Sequence, residues 1–324
     1  MKKVLIATTA LTLSAGIAAA DVKISGSARF GLQYNGANAT ETSLEKRMTL
    51  NIDGSTTADN GVTFGARVRI RSDEGGNNAA ASGTGVNGAR VYARFGGLTV
   101  AVGNTLGAIE SMPNVYGPTN GLTGLGYGGM VVNIDRGGAN HASDYWDWDA
   151  YQSKSNGAEG IEVIYSMGDF TGHVSYSSSE LTGVAGATKR LAAYGAYTFS
   201  GWTVALAVQD ADTANDIEDK VILTASGKIG DFGIGFGVAQ NGKGPKGVGG
   251  KVTKYAINGS YTMGATTLTG YVATQNVLPV ATGSKTSYGI GASYSLGGGA
   301  RIVGGIDRTT RKDTRADVGV AFNF

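Results

Sequence analysis

The chain has 324 residues with 54 glycines and no cysteine, so no disulfide framework supports the fold, and backbone pairing with burial must do so. Lysine and arginine number 27 against 25 acidic residues. Two of these bases, Lys2 and Lys3, precede an apolar run at 4–17 and small residues ending at Ala20, the pattern of a secretory signal peptide. Cleavage after Ala20 would leave a formally neutral chain of residues 21–324, which gives no electrostatic reason to expect a nucleic-acid partner.

After the predicted signal peptide, apolar and polar residues alternate with period two, which predicts β-strands. No later apolar run approaches 20 residues, so no helical span is expected. Five candidate strands precede residue 105 and eleven follow residue 159. They lie at 22–34, 47–53, 62–71, 89–95, 98–104, 161–167, 170–178, 189–199, 202–210, 220–229, 232–240, 253–263, 266–276, 285–296, 300–308 and 314–324.

The connections between these strands alternate between tight glycine turns and longer polar loops, which is typical of an up-and-down barrel. Strands of about 9–11 residues with one apolar face match an outer-membrane barrel. Closure is required because hydrocarbon cannot satisfy the hydrogen bonds of an open sheet edge. We therefore predict an all-β fold, a 16-stranded antiparallel up-and-down transmembrane β-barrel over residues 21–324. A barrel of this size leaves a water-filled channel.

Residues 105–159 form a connection far longer than any other in the chain. A loop of this length without regular structure is usually functional. It is the third long loop, and we predict that it folds inward and narrows the channel. Its acidic residues are candidates for the constriction: Glu110, Asp135, Asp144, Asp147 and Asp149.

The inward-facing parity of the strands before this loop collects basic residues, because apolar residues of the other parity face lipid or a neighbouring subunit. These residues are Lys23, Arg29, Arg47, Arg67, Arg69, Arg71, Arg90 and Arg94. Strands lie about 4.8 Å apart, so the guanidinium groups form one patch. Acids of the loop opposite this patch would create a transverse field that favours polar solutes. A solvated wall and loop acids engaged in internal salt bridges remain alternatives.

The chain ends in an alternating segment whose apolar face closes on an aromatic residue. That face carries Val318, Val320, Phe322 and Phe324. A terminal phenylalanine in this pattern resembles the assembly signal that the outer-membrane barrel insertion machinery reads. The alternative is the edge strand of a soluble sheet.

Residues for catalysis are few. The only histidines are His141 and His173, and nothing in their spacing supplies a nucleophile with an orienting acid. The absence of cysteine excludes thiolate zinc sites. We therefore do not expect an enzyme.

Both termini and the long loop resemble the trimeric general porins of alphaproteobacteria, such as those of purple non-sulfur phototrophs. The segments that carry the resemblance are 22–31, 34–36, 106–110, 135–138, 289–294, 296–299, 302–306 and 317–324. The resemblance implies a homotrimer in the outer membrane, with strands before the long loop at the subunit contact and the loop at 73–87 reaching a neighbour. It also places Glu110 and Asp135 at the constriction, where relatives sometimes bind calcium. Segment 144–149 has no clear counterpart.

The expected function is passive diffusion of small hydrophilic solutes and ions across the cell outer membrane, in contact with membrane lipid and lipopolysaccharide. A substrate-selective channel is the first alternative; it would usually show eighteen strands and an aromatic track along the lumen. A barrel that acts as adhesin or structural protein is the second, and it would need an additional domain. No cofactor is expected apart from a possible Ca²⁺ on Glu110 and Asp135.

Overall fold

The computed structural model describes residues 21–75, 83–135, 151–212, 218–243 and 250–324. The predicted signal peptide and the candidate acids Asp144, Asp147 and Asp149 lie outside these ranges. None of the helices within them is long and apolar enough to cross a membrane.

Almost all of the regular structure in the described ranges is β-strand. The strands are β1 (Asp21–Asn35), β2 (Thr42–Thr57), β3 (Thr63–Gly75), β4 (Thr84–Val86), β5 (Arg90–Phe95), β6 (Leu98–Gly103), β7 (Gly160–Met167), β8 (Phe170–Ser177), β9 (Arg190–Phe199), β10 (Trp202–Ala211), β11 (Lys220–Ile229), β12 (Phe232–Lys243), β13 (Lys251–Met263), β14 (Thr266–Gln275), β15 (Thr286–Gly297), β16 (Ala300–Arg308) and β17 (Thr314–Asn323). The other regular elements are helix α1 (Gly107–Ser111) and two short 3-10 helices at Leu125–Gly129 and Ser179–Thr182.

The strands form one closed antiparallel sheet. The first and last strands pair with each other, from Ser27–Asn323 to Asn35–Arg315, which leaves no open edge. Strands β4 and β5 both pair with β3, so together they occupy one position in the wall. The barrel therefore has 16 strand positions, and the predicted fold class is confirmed.

The outward face of the wall is apolar and exposed. On β10, Leu206 and Val208 are 54% and 47% exposed, whereas the alternate residues Ala205 and Ala207 are buried. This arrangement inverts that of a soluble sheet and fits a wall that faces hydrocarbon.

Two-residue turns join strands at one end of the barrel, and the long loops lie at the other. Gly168 and Gly230 begin two of these turns with φ of 56° and 59°. Positive φ at the first turn position suits the hairpin turns that follow strand twist, and glycine adopts it without steric cost. In outer-membrane barrels the short turns are periplasmic and the long loops extracellular.

The buried apolar core lies between the long loop and one side of the inner wall. The loop contributes Ala108, Ile109, Met112, Val115, Met130, Val131 and Val132, and the wall contributes Ala192, Ala196, Ala205, Ala207, Ile222, Ala239, Ala256, Tyr271 and Ala273. The wall residues are mostly alanine, so the loop backbone packs close to the sheet and part of the lumen stays open. The third long loop thus folds inward, as predicted.

Candidate functional site

The long loop begins its course against β8 and then passes β11 and β12. The backbone N–H of Ala108 in helix α1 donates to Ser175 Oγ at 2.8 Å. Thr224 Oγ1 donates to the carbonyl of Pro113 at 2.7 Å, and Asn241 Nδ2 donates to the carbonyl of Val131 at 3.1 Å. These bonds satisfy backbone groups that would otherwise be unpaired, so the loop is fixed along this side of the wall.

A buried lysine holds the end of the described loop on β13. Lys254 Nζ donates to the carbonyl oxygens of Gly128 at 2.8 Å and Asn133 at 2.5 Å. Next to it, Gln275 Nε2 donates to the carbonyl of Asp135 at 2.7 Å and its Oε1 accepts from the Asp135 N–H at 3.2 Å. The amine of Lys254 and the amide of Gln275 therefore hold irregular backbone of the loop against the wall.

The tip of the loop is attached to the strands that close the barrel. The carboxylate of Asp317 on β17 accepts from the N–H groups of Leu122 at 2.8 Å and Thr123 at 2.7 Å, and from the Thr123 hydroxyl at 2.7 Å. Arg29 donates to the carbonyl of Leu122 at 2.8 Å. Within the described ranges the loop thus follows the inner wall from β8 round to β17 and leaves the face formed by β2 and β3 uncovered except near Arg69, which Ser153 close to the end of the loop contacts at 3.4 Å.

Two cavities lie between the loop and this uncovered face. The upper cavity, near the long loops, has a volume of about 700 Å³ and includes Arg47, Arg69, Arg71, Glu110 and Tyr116 in its lining. The lower cavity, about 210 Å³, includes Arg29, Arg47, Arg71 and Arg301.

The two cavities meet at residues that line both of them. These are Arg47 and Arg71 on the wall and Gly124 and Tyr127 on the loop. We call this place the junction.

Four of the seven predicted arginines form ion pairs with carboxylates of the wall, three of them across adjacent strands and one, from Arg90 on β5, across β6 to Glu162 on β7. Arg47 contacts Asp73 at 3.0 and 2.9 Å. The others are Arg29 with Glu45 at 2.7 and 2.5 Å, Arg67 with Asp53 at 2.5 Å and Arg90 with Glu162 at 2.7 Å. Sequence reasoning missed these acids, although Glu45, Asp53 and Asp73 share the inward parity of the arginines.

The remaining three arginines form hydrogen bonds with uncharged groups in the described part of the chain. Arg69 donates to Asn51 Oδ1 at 3.0 Å, Arg71 to Thr49 Oγ1 at 3.2 Å and Arg94 to Thr99 Oγ1 at 3.3 Å. Of these, Arg69 and Arg71 line the upper cavity. The structure thus brings Arg47, Arg69 and Arg71 together with the loop; Arg67, Arg90 and Arg94 line neither cavity.

The described loop acids differ in their surroundings. Glu110 lines the upper cavity and accepts a hydrogen bond from the Tyr116 hydroxyl at 2.7 Å. Asp135 instead accepts two bonds from Arg311, at 2.7 and 2.9 Å, in the connection between β16 and β17, and these bonds raise the pKa of the Arg311 guanidinium. The expectation that Asp135 stands opposite the arginine patch was wrong, because Arg311 neutralises it at a different part of the wall.

Glu110 and Asp135 do not together form a calcium site. They line separate cavities, and the described ranges contain no group of three or more His, Asp or Glu side chains that could hold a metal ion. Oxygen ligands for calcium normally number six to eight, so these two residues alone do not fit the ion.

His173 lies outside both cavities, buried behind helix α1. Its Nε2 is 3.2 Å from Glu162 Oε2, and the same carboxylate pairs with Arg90. The ring also packs edge-on against Tyr194 at 5.5 Å. His173 and Glu162 are both buried, and neither lines the two cavities described above.

The C-terminal segment lies on the outer face at the short-turn end. Val318 and Phe324 are 52% and 57% exposed, and Val320 and Phe322 lie on the same face of β17. The backbone of Phe324 pairs with Gly26, with N–H to O distances of 2.7 and 3.0 Å. The terminal residue therefore completes the seam between β17 and β1.

Comparison with known proteins gives one consistent result. A family model described as Gram-negative porin matches residues 7–314. The chain is 32% identical over 317 residues to a porin of Fuscovulum blasticum and 31% identical over 332 residues to a porin of Rhodobacter capsulatus. Each match covers 94% of this chain and 100% of the relative. A crystal structure of a triple mutant of Rhodopseudomonas blastica porin superposes with a TM-score of 0.76 at 28% identity, over 94% of this chain and all of that one.

Proposed function

Because this chain belongs to the Gram-negative porins and forms an outer-membrane channel for passive diffusion, we propose that the junction is its constriction. The observation that carries this is the course of the loop, which covers the wall from β8 to β17 and leaves Arg47 and Arg71 facing Tyr127 across the passage. The family assignment does not favour the substrate-selective channel or the adhesin.

Within this constriction Arg47, Arg69 and Arg71 provide the basic side, and Glu110 is the described acid of the loop that shares their cavity; the other acid there, Asp73 of the wall, is paired with Arg47. Glu110→Gln should therefore shift the reversal potential in a salt gradient toward anions, since fixed charges tune ion preference. Asp135→Asn is the matched control, because it removes the same charge from a different cavity, beside Arg311 and not beside Arg47 and Arg71, so the shift should be smaller. Equal shifts for the two variants would contradict this assignment.

The channel further works as a homotrimer, with β5 and β6 at the subunit contact. Each of these strands has only 6 residues, fewer than the roughly 9–11 that cross the hydrocarbon layer. A sector this short, with exposed Val91, Val100 and Val102, is poorly suited to face lipid and suits contact with a neighbouring barrel. The rest of the outer wall contacts membrane lipid and lipopolysaccharide. The chain is exported by its signal peptide, which is cleaved after Ala20.

Purified protein in planar lipid bilayers tests both parts. We expect conductance steps grouped in threes that persist without any ligand; a silent protein, or single independent steps, would contradict the proposal.

The subunit contact can also be tested with single nitroxide labels, because the chain has no cysteine of its own. A label at Val100→Cys should be shielded from apolar relaxation agents in the lipid, whereas a label at Leu206→Cys on the outer face of β10, away from the proposed contact, should be accessible.

A further inference from the structure

The ladder between β2 and β3 has acids at its ends and none in its middle. In register, Arg47 stands opposite Asp73 and Arg67 opposite Asp53. Between them Arg71 stands opposite Thr49 and Arg69 opposite Asn51. Carboxylates thus neutralise the outer arginines of this row, and the two central ones face neutral partners.

Both central arginines use Nε for their bond to the wall. Arg69 Nε binds Asn51 at 3.0 Å and Arg71 Nε binds Thr49 at 3.2 Å. The terminal nitrogen Nη1 of Arg69 also contacts Ser153 Oγ at 3.4 Å, and the guanidinium lies 5.3 Å from the Tyr151 ring centre. Within the described ranges no carboxylate hydrogen-bonds to either guanidinium, and both side chains line the upper cavity.

The upper cavity concentrates positive charge around these two groups. Five basic and two acidic side chains line it. Of the two acids, Asp73 is engaged by Arg47 and Glu110 accepts from Tyr116. The volume, about 700 Å³, lies in the range of small-molecule sites. Tyr116, Tyr127 and Tyr151 supply hydroxyl groups and ring faces on the same lining.

We propose that Arg69 and Arg71 form a binding subsite for phosphate-type dianions at the extracellular entrance of the constriction. Residues two apart on one strand face have Cα atoms about 7 Å apart, and two long side chains reach a shared tetrahedral anion. A guanidinium fork matches phosphate oxygens in geometry, which a chloride ion cannot exploit. The inference rests on the proposed constriction, because the subsite lies on the route of solutes that enter it.

The test is saturable interference of inorganic phosphate with potassium chloride conductance in planar bilayers. Ionic strength is held constant, at about pH 8 where phosphate is mainly dianionic. We expect wild-type conductance to fall with phosphate and level off. Arg71→Gln should raise the half-saturating phosphate concentration about tenfold, because it removes charge-assisted hydrogen bonds to the anion, which are stronger than bonds between neutral groups. Arg69→Gln/Arg71→Gln should abolish saturation.

Arg67→Gln is the matched control, since it removes a cation from the same strand face whose charge Asp53 neutralises. We expect it to leave phosphate saturation unchanged. Should the glutamine variants fail to assemble, Arg71→Lys keeps the charge without the fork and should still weaken saturation. Conductance that is insensitive to phosphate, or equal effects of Arg67→Gln and Arg71→Gln, would overturn the subsite. Channel activity in potassium chloride alone would persist in that case, so the proposed function would still stand.

Discussion

At the scale of single residues, Asp317 holds the tip of the loop on the wall opposite its starting point. Its carboxylate accepts three hydrogen bonds from Leu122 and Thr123 and is 6% exposed. The buried carboxylate is therefore satisfied by hydrogen bonds. Among the described residues, no other side chain accepts a hydrogen bond from the backbone N–H groups of Leu122 and Thr123.

Replacement of Asp317 by Asn should loosen the loop tip. The amide NH₂ group would face an N–H donor, and the lost charge-assisted bonds are worth about 1–3 kcal/mol. We expect greater current noise in the open state with unchanged barrel assembly, measured by single-channel recording. Asp231→Asn, at an exposed two-residue turn, is the control. Noise equal to that of the control would show that Asp317 does not hold the tip.

At the scale of elements, the loop occupies its place because the wall beneath it is made of small residues. Ala207 on β10 is 1% exposed under the loop, and its sequence neighbour Leu206 faces outward. The alanines on β9, β10 and β12 to β14 thus leave space for the loop on their side of the barrel. The arginines of β2 and β3 lie on the other side and face the channel.

Ala207→Trp should push the loop toward the arginine face. Overpacking of a buried site costs about 1–3 kcal/mol, and the loop can relieve it only by moving into the lumen. We therefore expect a lower single-channel conductance. Leu206→Trp adds a comparable side chain to the outer face, and its conductance should match the wild type; a fall in both variants would mean that the effect is not transmitted through the loop.

The strands and their faces were predictable from the sequence because period-two alternation is a local signal. The parity of Arg47, Arg69 and Arg71 follows directly from it. The position of Asp135 did not follow, because its partner Arg311 is distant in sequence and neither residue lies in an alternating strand. The alanines that face the lumen on β9 to β14 can be recognised in the sequence, because they alternate with larger apolar residues. Only the fold shows that the long loop covers them.

At the scale of the whole molecule, closure of the barrel depends on the seam between β1 and β17. A Cβ at Gly26 would lie 2.4 Å from the Phe324 ring, so this glycine leaves the space in which the terminal ring lies. The same segment carries the predicted assembly signal, so we expect a change in seam packing at this position to affect assembly.

Gly26→Val should displace the Phe324 ring and slow assembly of the folded barrel. The measurement is the rate at which refolded protein acquires the gel mobility of the folded form in lipid vesicles. Gly54→Val is the control, because a Cβ there meets no atom within 4 Å, and we expect near wild-type kinetics. Similar slowing in both variants would indicate a general strand effect instead.

The central claim is that solutes pass between Arg47 and Arg71 on the wall and Tyr127 on the loop. The most direct measurement is cysteine modification of Tyr127→Cys during bilayer recording, in a chain that has no other cysteine. A water-soluble, bulky thiosulfonate should reduce the conductance in discrete steps, while Leu206→Cys on the outer face should give no change. Complete labelling of Tyr127→Cys, verified by mass, with undiminished conductance would contradict the account.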